Sequence, residues 1–383
     1  MTVTAPGPVV IFSASIGAGH DGAARELARR LAERGIPSVR HDFLDMLPAG
    51  LGATLRDAYA RQLRTMPASW GWLLDAMAGP RLGAGAGGLS AGLAATRMLA
   101  AIGTDAVAVV STYPLASQVL GRLRRSGRLA VPVAAVMTDP SVHPLCVAGG
   151  VDVHLAPGRA TAEQIHAMDA PALAVSPIVD PAFRPVHDRA ERDAVRRRLG
   201  LPADERLAVV IAGSWGVGDV EQTATDIART GAALPVVVCG RNETLRGRLH
   251  RSGSAIALGW VDEMPSLLRA ADVAVHNAGG LSSVEALASG IPVISYRCLP
   301  GHGAANAAVL AAARLSPWPG TPGELAAAVQ SALSGAAAAV QQEVFAASGA
   351  DPDAADVIGL PDRVPAHPAP ARRTLFTRAA SYF

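Results

Sequence analysis

The chain has 383 residues and no lysine; all 34 of its Lys-plus-Arg positions are arginine. That absence removes whole chemistries, because Schiff-base nucleophiles, pyridoxal-phosphate attachment and the Walker-type P-loop each need an ε-amine. Abundant Ala, Gly, Arg and Pro point to GC-rich coding as the source of the bias, and the exclusion holds whatever its source. Cysteine is scarce as well. Cys146, Cys239 and Cys298 are widely spaced and odd in number, so they form no zinc spacing and no disulfide framework, and a cytoplasmic, reducing setting is expected. No run approaches the ~20 apolar residues of a membrane-spanning helix, so membrane contact is expected to be peripheral. Met1 to Pro8 lacks a charged segment followed by a long apolar one and is not read as a signal peptide. Charge of one sign is also missing: 34 basic and 32 acidic side chains leave a formal +2, too balanced to predict a nucleic-acid partner.

What is present is apolar and periodic. Half of the residues are hydrophobic and 17% are charged, the composition of a globular protein long enough for two well-buried domains. Pro8–Phe12 reads as a buried strand, followed by a helix with Ala24, Leu27, Ala28 and Leu31 at helical spacing. A second strand is expected near Ser38–Phe43, and further short apolar runs fall at Ala106–Val110, Val133–Met137 and Val151–Ala156. After Pro181 an Arg-rich helical stretch, His187–Leu199, leads into a fresh series at Leu207–Ile211, Leu234–Val238, Ala255–Leu258, Val273–His276 and Pro292–Tyr296. Such alternation predicts an α/β chain with two Rossmann-like domains, each a parallel sheet wrapped by helices. The expected division is 1–184 and 185–345, with 346–383 as a flexible Ala/Pro-rich tail. The arginines and aromatics of Arg372–Phe383 offer a membrane or partner tether as the sharper alternative. Leu51–Leu82 stands outside the pattern as an insertion carrying Tyr59, Trp70 and Trp72. It suits either an apolar acceptor surface or an extra core-packing helix pair.

Two loops join a strand to a helix through glycines. In the first, Gly17, Gly19 and Gly22 satisfy G-x-G-x-x-G, and Asp42 follows about twenty residues later at a strand end, as in a dinucleotide fingerprint. An NAD(P)-dependent dehydrogenase is therefore one expectation. His20 weighs against it, because an imidazole inside the loop would crowd a pyrophosphate. At a helix N-terminus the macrodipole keeps that imidazole neutral, fit to take a proton from an attacking hydroxyl. A locally bonded helix-start histidine is the alternative. The second loop, His276-Asn277-Ala278-Gly279-Gly280-Leu281-Ser282-Ser283-Val284-Glu285, ends a strand in paired glycines whose N–H groups would cradle a diphosphate. Ser282 and Glu285 also spell a capping box, which competes with a ribose-binding role for Glu285. The loops holding Ser214, Gly240 with Asn242, Gly259 with Trp260 and Val261, and His302 with Asn306 all follow strands, at the end where open α/β sheets bind ligands.

These motifs, in this order from about Val9 to Leu315, resemble the monogalactosyl- and glucosyl-diacylglycerol synthase family of GT-B glycosyltransferases. There is a more distant likeness to the undecaprenyl-linked N-acetylglucosaminyltransferase of peptidoglycan synthesis. Thr138-Asp139 with His143, the Ser176-Pro177-Ile178 hinge and Cys239-Gly240-Arg241-Asn242 carry the likeness alongside the glycine loops. The resemblance implies a UDP-sugar in the C-terminal domain: uracil near Gly259–Val261, ribose on Glu285, and diphosphate on Gly279, Gly280 and Ser282. Gly19, Ser214, Gly240, Asn242, Asn277, Leu281, His302 and Asn306 would complete the donor site. It also implies a lipid or other hydrophobic acceptor beside His20, His143, Trp70 and Trp72, on a peripheral contact with the cytoplasmic membrane face. The implied chemistry is single-displacement inversion without metal or other cofactor, His20 acting as base and Asp139 assisting. The chain departs from the family at Pro300-Gly301-His302-Gly303, where a Gln-Glu pair is usual, and at Ser176, where glycine is usual. That altered loop makes a non-catalytic UDP-sugar-binding regulator a further alternative.

Overall fold

The computed structural model describes residues 7–48, 50–65 and 86–359. Its first half is a six-stranded parallel sheet in the order β2-β1-β3-β4-β5-β6. The strands are β1 (Val9–Ser13), β2 (Ser38–Asp42), β3 (Ala108–Ser111), β4 (Val133–Val136), β5 (Val153–Ala156) and β6 (Ala172–Ala174). The second half is a five-stranded parallel sheet, β11-β10-β7-β8-β9. Here β7 is Leu207–Ile211, β8 Leu234–Val238, β9 Ile256–Leu258, β10 Val273–His276 and β11 Val293–Ser295. The central strands of both sheets are unbroken apolar runs because helices cover both faces, leaving no solvent side to alternate toward. Strand β6 is short and only partly buried, and its Ala-Leu-Ala gives no pattern by which the sequence predicts it.

Each sheet has one place where the strand order reverses, between β1 and β3 and between β7 and β10. The crevice beyond the strand ends at such a point is where open α/β sheets take ligands. Both glycine loops open from these points: the loop after β1 leads into α1 (Ala18–Glu33), and the loop after β10 leads into α10 (Leu281–Ala288). Helix α1 holds its apolar stripe, Ala24, Leu27 and Leu31, on the sheet, with Asp21 in its first turn and Arg30 in its last, each complementing the helix dipole. The intervening helices are α2 (Leu51–Thr65), α3 (Ala86–Ile102), α4 (Pro114–Arg125), α5 (Arg159–His166), α6 (Arg189–Leu199), α7 (Val220–Arg229), α8 (Glu243–Ser252) and α9 (Met264–Ala270). After α10 come α11 (His302–Ala312), α12 (Pro322–Leu333), α13 (Ala336–Ser348) and α14 (Ala354–Gly359).

The expected flexible tail from 346 needs correcting over its first part. Residues 346–348 finish α13, and α14 buries Ala354, Ala355, Val357 and Ile358 in the same core as Val9, Ile11, Leu27 and Leu31 of the first half. The chain therefore returns to the N-terminal sheet. Arg30 fixes that return by binding both Asp353 and the carbonyl of Pro177 at the hinge, while Ser176 N–H donates to the Pro352 carbonyl. Ala and Val at helical spacing had a partner that composition alone does not reveal. Residues 360–383 lie outside the described part.

Candidate active site

Four segments meet where the two halves face each other. His20 stands in the first turn of α1, partly buried, with Nδ1 2.6 Å from the carbonyl oxygen of Thr112, the residue that follows β3. A carbonyl only accepts, so Nδ1 carries the proton and Nε2 is left with a lone pair. The Tyr113 ring packs edge-on against the imidazole with centroids 5.3 Å apart. Burial lowers the His20 pKa, partly offset by the nearby Asp139 carboxylate, the Thr112 carbonyl and Asp21. The ring is thus held neutral, in one tautomer, with its basic nitrogen free of these contacts. Thr112 was not among the expected site residues; the signal for it was the switch point between β1 and β3.

Across the cleft, Gly279 has a positive φ of 73°, and a Cβ there would meet Asn306 at 2.8 Å. Gly280 is the N-cap of α10 with no side-chain cap bond, so the capping-box explanation of Ser282 and Glu285 does not hold. It is Ser283 that bonds back to the helix start, donating to the carbonyls of Gly279 and Gly280 at 3.1 and 2.7 Å. Glu285 is therefore spared for another use, and burial raises its pKa to about 7, opposed by Arg25 and reinforced by Asp180. Three buried polar atoms nearby have no hydrogen-bond partner: His276 Nδ1, Asn277 Oδ1 and His302 Nδ1. Buried polar atoms are normally satisfied, so three orphans around one loop mark a place where a polar ligand would bind. Burial also pushes the His276 pKa down to about 4, so that ring is neutral.

The two glycine loops accommodate one another. A Cβ on Gly22 would lie 2.8 Å from Leu281 Cδ2, and one on Gly280 would lie 2.5 Å from Asp139 Oδ1. The glycines of the first loop thus make room for the facing half, and Asp42 is equally committed. Its carboxylate accepts from the Ser15 N–H, from the Ser15 hydroxyl and from the Leu44 N–H, and lies 3.7 Å from Arg56. The acidic residue and the close-approach glycine of the dinucleotide fingerprint both have structural employment here.

Several expected ligand residues hold backbone in place. Asn242 caps α8 by accepting from Leu245 N–H and donates to the Gly216 carbonyl, which spends its amide. Asn306 is fully buried and bonded on both sides, to Ser141 and to the Ala278 carbonyl, so its amide is spent within the protein. His143 caps the short 3-10 turn Pro144–Cys146 through Leu145 N–H. Gly240 (φ 58°) lets its loop lie against Ser214, whose carbonyl accepts from the Arg241 N–H. Arg241 sits over Trp215 and Trp260, 5.6 and 4.7 Å from the ring centroids. Trp260 is 46% exposed, Val261 packs into the core under β9, and Gly259 lies beside Arg246. Trp215 donates across the cleft to the Ile16 carbonyl at 3.4 Å, a bridge absent from the expectations. A Cβ on Gly19 would lie 3.6 Å from Leu281 Cβ. Trp70 and Trp72 lie outside the described residues.

Comparison with known proteins agrees with this architecture. Residues 216–335 match the family described as Glycosyl transferases group 1. A processive diacylglycerol beta-glucosyltransferase of Bacillus licheniformis is 26% identical over 205 residues, covering 52% of this chain and 53% of that relative. The chain spans about half the length of the curated relatives it matches. Among solved structures, MurG of Acinetobacter baumannii superposes with a TM-score of 0.55 at 15% identity, covering 92% of this chain and 99% of the other. UGT71G1 of Medicago truncatula complexed with UDP-glucose gives 0.58 at 13% identity over 94% and 98%. The two facing parallel sheets are those of the GT-B fold.

Proposed function

We propose that this chain, a GT-B protein with a glycosyltransferase group 1 domain, transfers a hexose from a UDP-sugar to a lipid or other hydrophobic acceptor. The observation that carries the reading is His20, neutral and fixed on Thr112, opposite a glycine-opened helix N-terminus surrounded by unsatisfied polar atoms. The acceptor hydroxyl gives its proton to His20 Nε2 as its oxygen bonds to the anomeric carbon. The bond from that carbon to the diphosphate oxygen breaks, and its electron pair leaves on UDP. Attack from the face opposite the leaving group inverts the anomeric centre in one displacement. The N–H groups at the start of α10 and its dipole stabilise the charge that develops on the diphosphate. Glu285 accepts from the ribose hydroxyls, and Asp139 stabilises the imidazolium as it forms.

The donor reading is supported by the UDP-glucose held by a structural neighbour, and the acceptor reading by diacylglycerol in the relatives' names. Among the described residues no group of three or more His, Cys, Asp or Glu is arranged to hold a metal ion. Nor is any described helix long and apolar enough to cross a membrane. We place the enzyme on the cytoplasmic membrane face, in peripheral contact. Calorimetric titration with UDP and separately with NAD is the first test, followed by assay of UDP-glucose with diacylglycerol. Saturable UDP binding with sugar transfer is expected. NAD binding without UDP binding would overturn the assignment, and UDP-sugar binding without turnover would leave a regulator.

A further inference from the structure

We propose that Asn306 and Ser141 form a latch across the cleft, making them positioning residues that tie the acceptor-side loop to the donor-side loop. Asn306 Oδ1 accepts from both the N–H and the hydroxyl of Ser141, at 3.0 and 2.5 Å. Its Nδ2 donates at 2.8 Å to the carbonyl of Ala278, the residue before the glycine pair. One fully buried amide in α11 therefore joins the loop after β4 in the first half to the loop after β10 in the second. Each of its polar atoms is spent on one side.

The acceptor-side loop transmits what happens at Ser141. The Pro140 carbonyl is held by Thr161 Oγ1 and Gln164 Nε2, at 2.8 and 3.1 Å, and Val142 N–H donates to Gln164 Oε1 at 3.1 Å. With its middle fastened to α5, the loop moves as a unit, and Asp139 lies two residues before Ser141. Asp139 faces Gly280 and acts electrostatically on His20. The peptide after Ala278 leads into the diphosphate loop, so a change there reaches Asp139 through a single side chain. Closing the cleft over a donor and setting the base for the acceptor become one event, because the same amide must satisfy both loops. Releasing either side leaves a buried polar group unpaired, which favours the latched state.

The kinetic consequence rests on the transfer reading above; the structural linkage does not, and the test separates the two. Backbone amide exchange would be followed in the ligand-free protein for wild type, Ser141→Ala and Asn306→Asp. Ser141→Ala weakens only the acceptor side, and Asn306→Asp keeps the acceptor-side oxygen but sets a carboxylate oxygen against the Ala278 carbonyl, breaking the donor-side bond. Each substitution should speed exchange on the far side of the cleft, at 276–282 and 138–143 respectively, by about fivefold to tenfold, the loss expected of one hydrogen bond. Unchanged exchange on the far side would overturn the latch whether or not the protein transfers sugar. With UDP-glucose and diacylglycerol as substrates, both variants should lose about tenfold in kcat while the UDP Kd stays within about twofold. The double variant should fall no lower than the worse single one, and Ser141→Thr, which keeps the hydroxyl, should recover most of the rate. Losses that multiply, or a weakened UDP Kd at unchanged kcat, would return Asn306 to the donor site and overturn the latch.

Discussion

The two glycine loops share one local grammar, strand, glycines, helix, and do different work. In the first, the space the glycines leave is filled by protein: Leu281 of the facing half comes against Gly19 and Gly22. In the second, the glycines leave a helix start without a side-chain cap, beside three polar atoms that no described residue satisfies. The first loop delivers a side chain, His20, into the cleft; the second delivers backbone. The difference teaches that a glycine pattern specifies close approach, while what approaches is decided by the neighbouring half. On this reading the first loop supplies the base and the second binds the donor, and each can be broken separately.

The largest effect is expected at His20. His20→Ala should cost about 10²–10⁴-fold in turnover, the range for a general base, with UDP affinity unchanged by calorimetry. The pH profile follows from the direction of the shift. Burial lowers the His20 pKa below the ordinary 6.5, and the base works only when neutral, so kcat at saturating donor should be flat through pH 7 and fall only below pH 6.5. An acid limb with its midpoint above pH 7 would mean that a different group is the base.

Glu285 tests the second loop from the donor side. Glu285→Gln should weaken UDP binding by about 10–100-fold, since a carboxylate accepts ribose hydroxyls more strongly than an amide. The same variant should be more stable than wild type at pH 8 without ligand. The folded carboxyl titrates near 7 instead of 4.5, so between those values the folded protein holds a proton the unfolded chain has released. Stability then declines as pH rises from 4.5 to 7, a loss that glutamine escapes. Weaker UDP binding with greater thermal stability at high pH is a combination that a helix-capping glutamate would not give.

Much of the fold was legible because both sheets are parallel and covered on both faces, which turns each central strand into a short apolar run. All five second-half strands are readable to within one residue for that reason, as are β1 and β4. Strand β6 was missed because three partly buried residues carry no periodic signal, and α14 because its partner surface is more than 300 residues away in sequence. The site was legible as loops and less so as contacts. His20 and Glu285 stand out by residue type in a glycine context, whereas Asn242 and Asn306 look the same in sequence whether they hold a ligand or a backbone. Only the positions of Leu245, Gly216, Ser141 and Ala278 decide between those uses.

A smaller effect is expected at Gly22, where the two loops touch. Gly22→Ala gains up to about 1 kcal/mol of helix propensity, but its Cβ would lie 2.8 Å from Leu281 Cδ2, and overpacking costs about 1–3 kcal/mol. The clash exists only while the halves are together, so overall stability should stay near wild type and turnover should fall about threefold to tenfold. Leu281→Ala in the same chain should relieve the contact and recover part of the loss. No recovery would mean that Gly22 serves something other than the facing half.

The smallest effect falls on the part of the comparison with no counterpart among the described residues of the first half, the stack of Trp215, Arg241 and Trp260. The guanidinium of Arg241 lies over both rings, and an exposed cation–π contact contributes about 0.5–1 kcal/mol. Trp260 is nearly half exposed yet oriented by its indole N–H on Asp262 at 2.9 Å, so it is a flat face held in place at the mouth of the donor half. Arg241→Ala removes the cation and leaves both rings. If the stack only orders the loops after β8 and β9, UDP affinity should drop about twofold to fivefold, the size of that one contact, and Trp fluorescence should still respond to UDP. A loss beyond about tenfold would mean that Arg241 neutralises the diphosphate directly, and the second loop would then share its task of holding charge with a side chain.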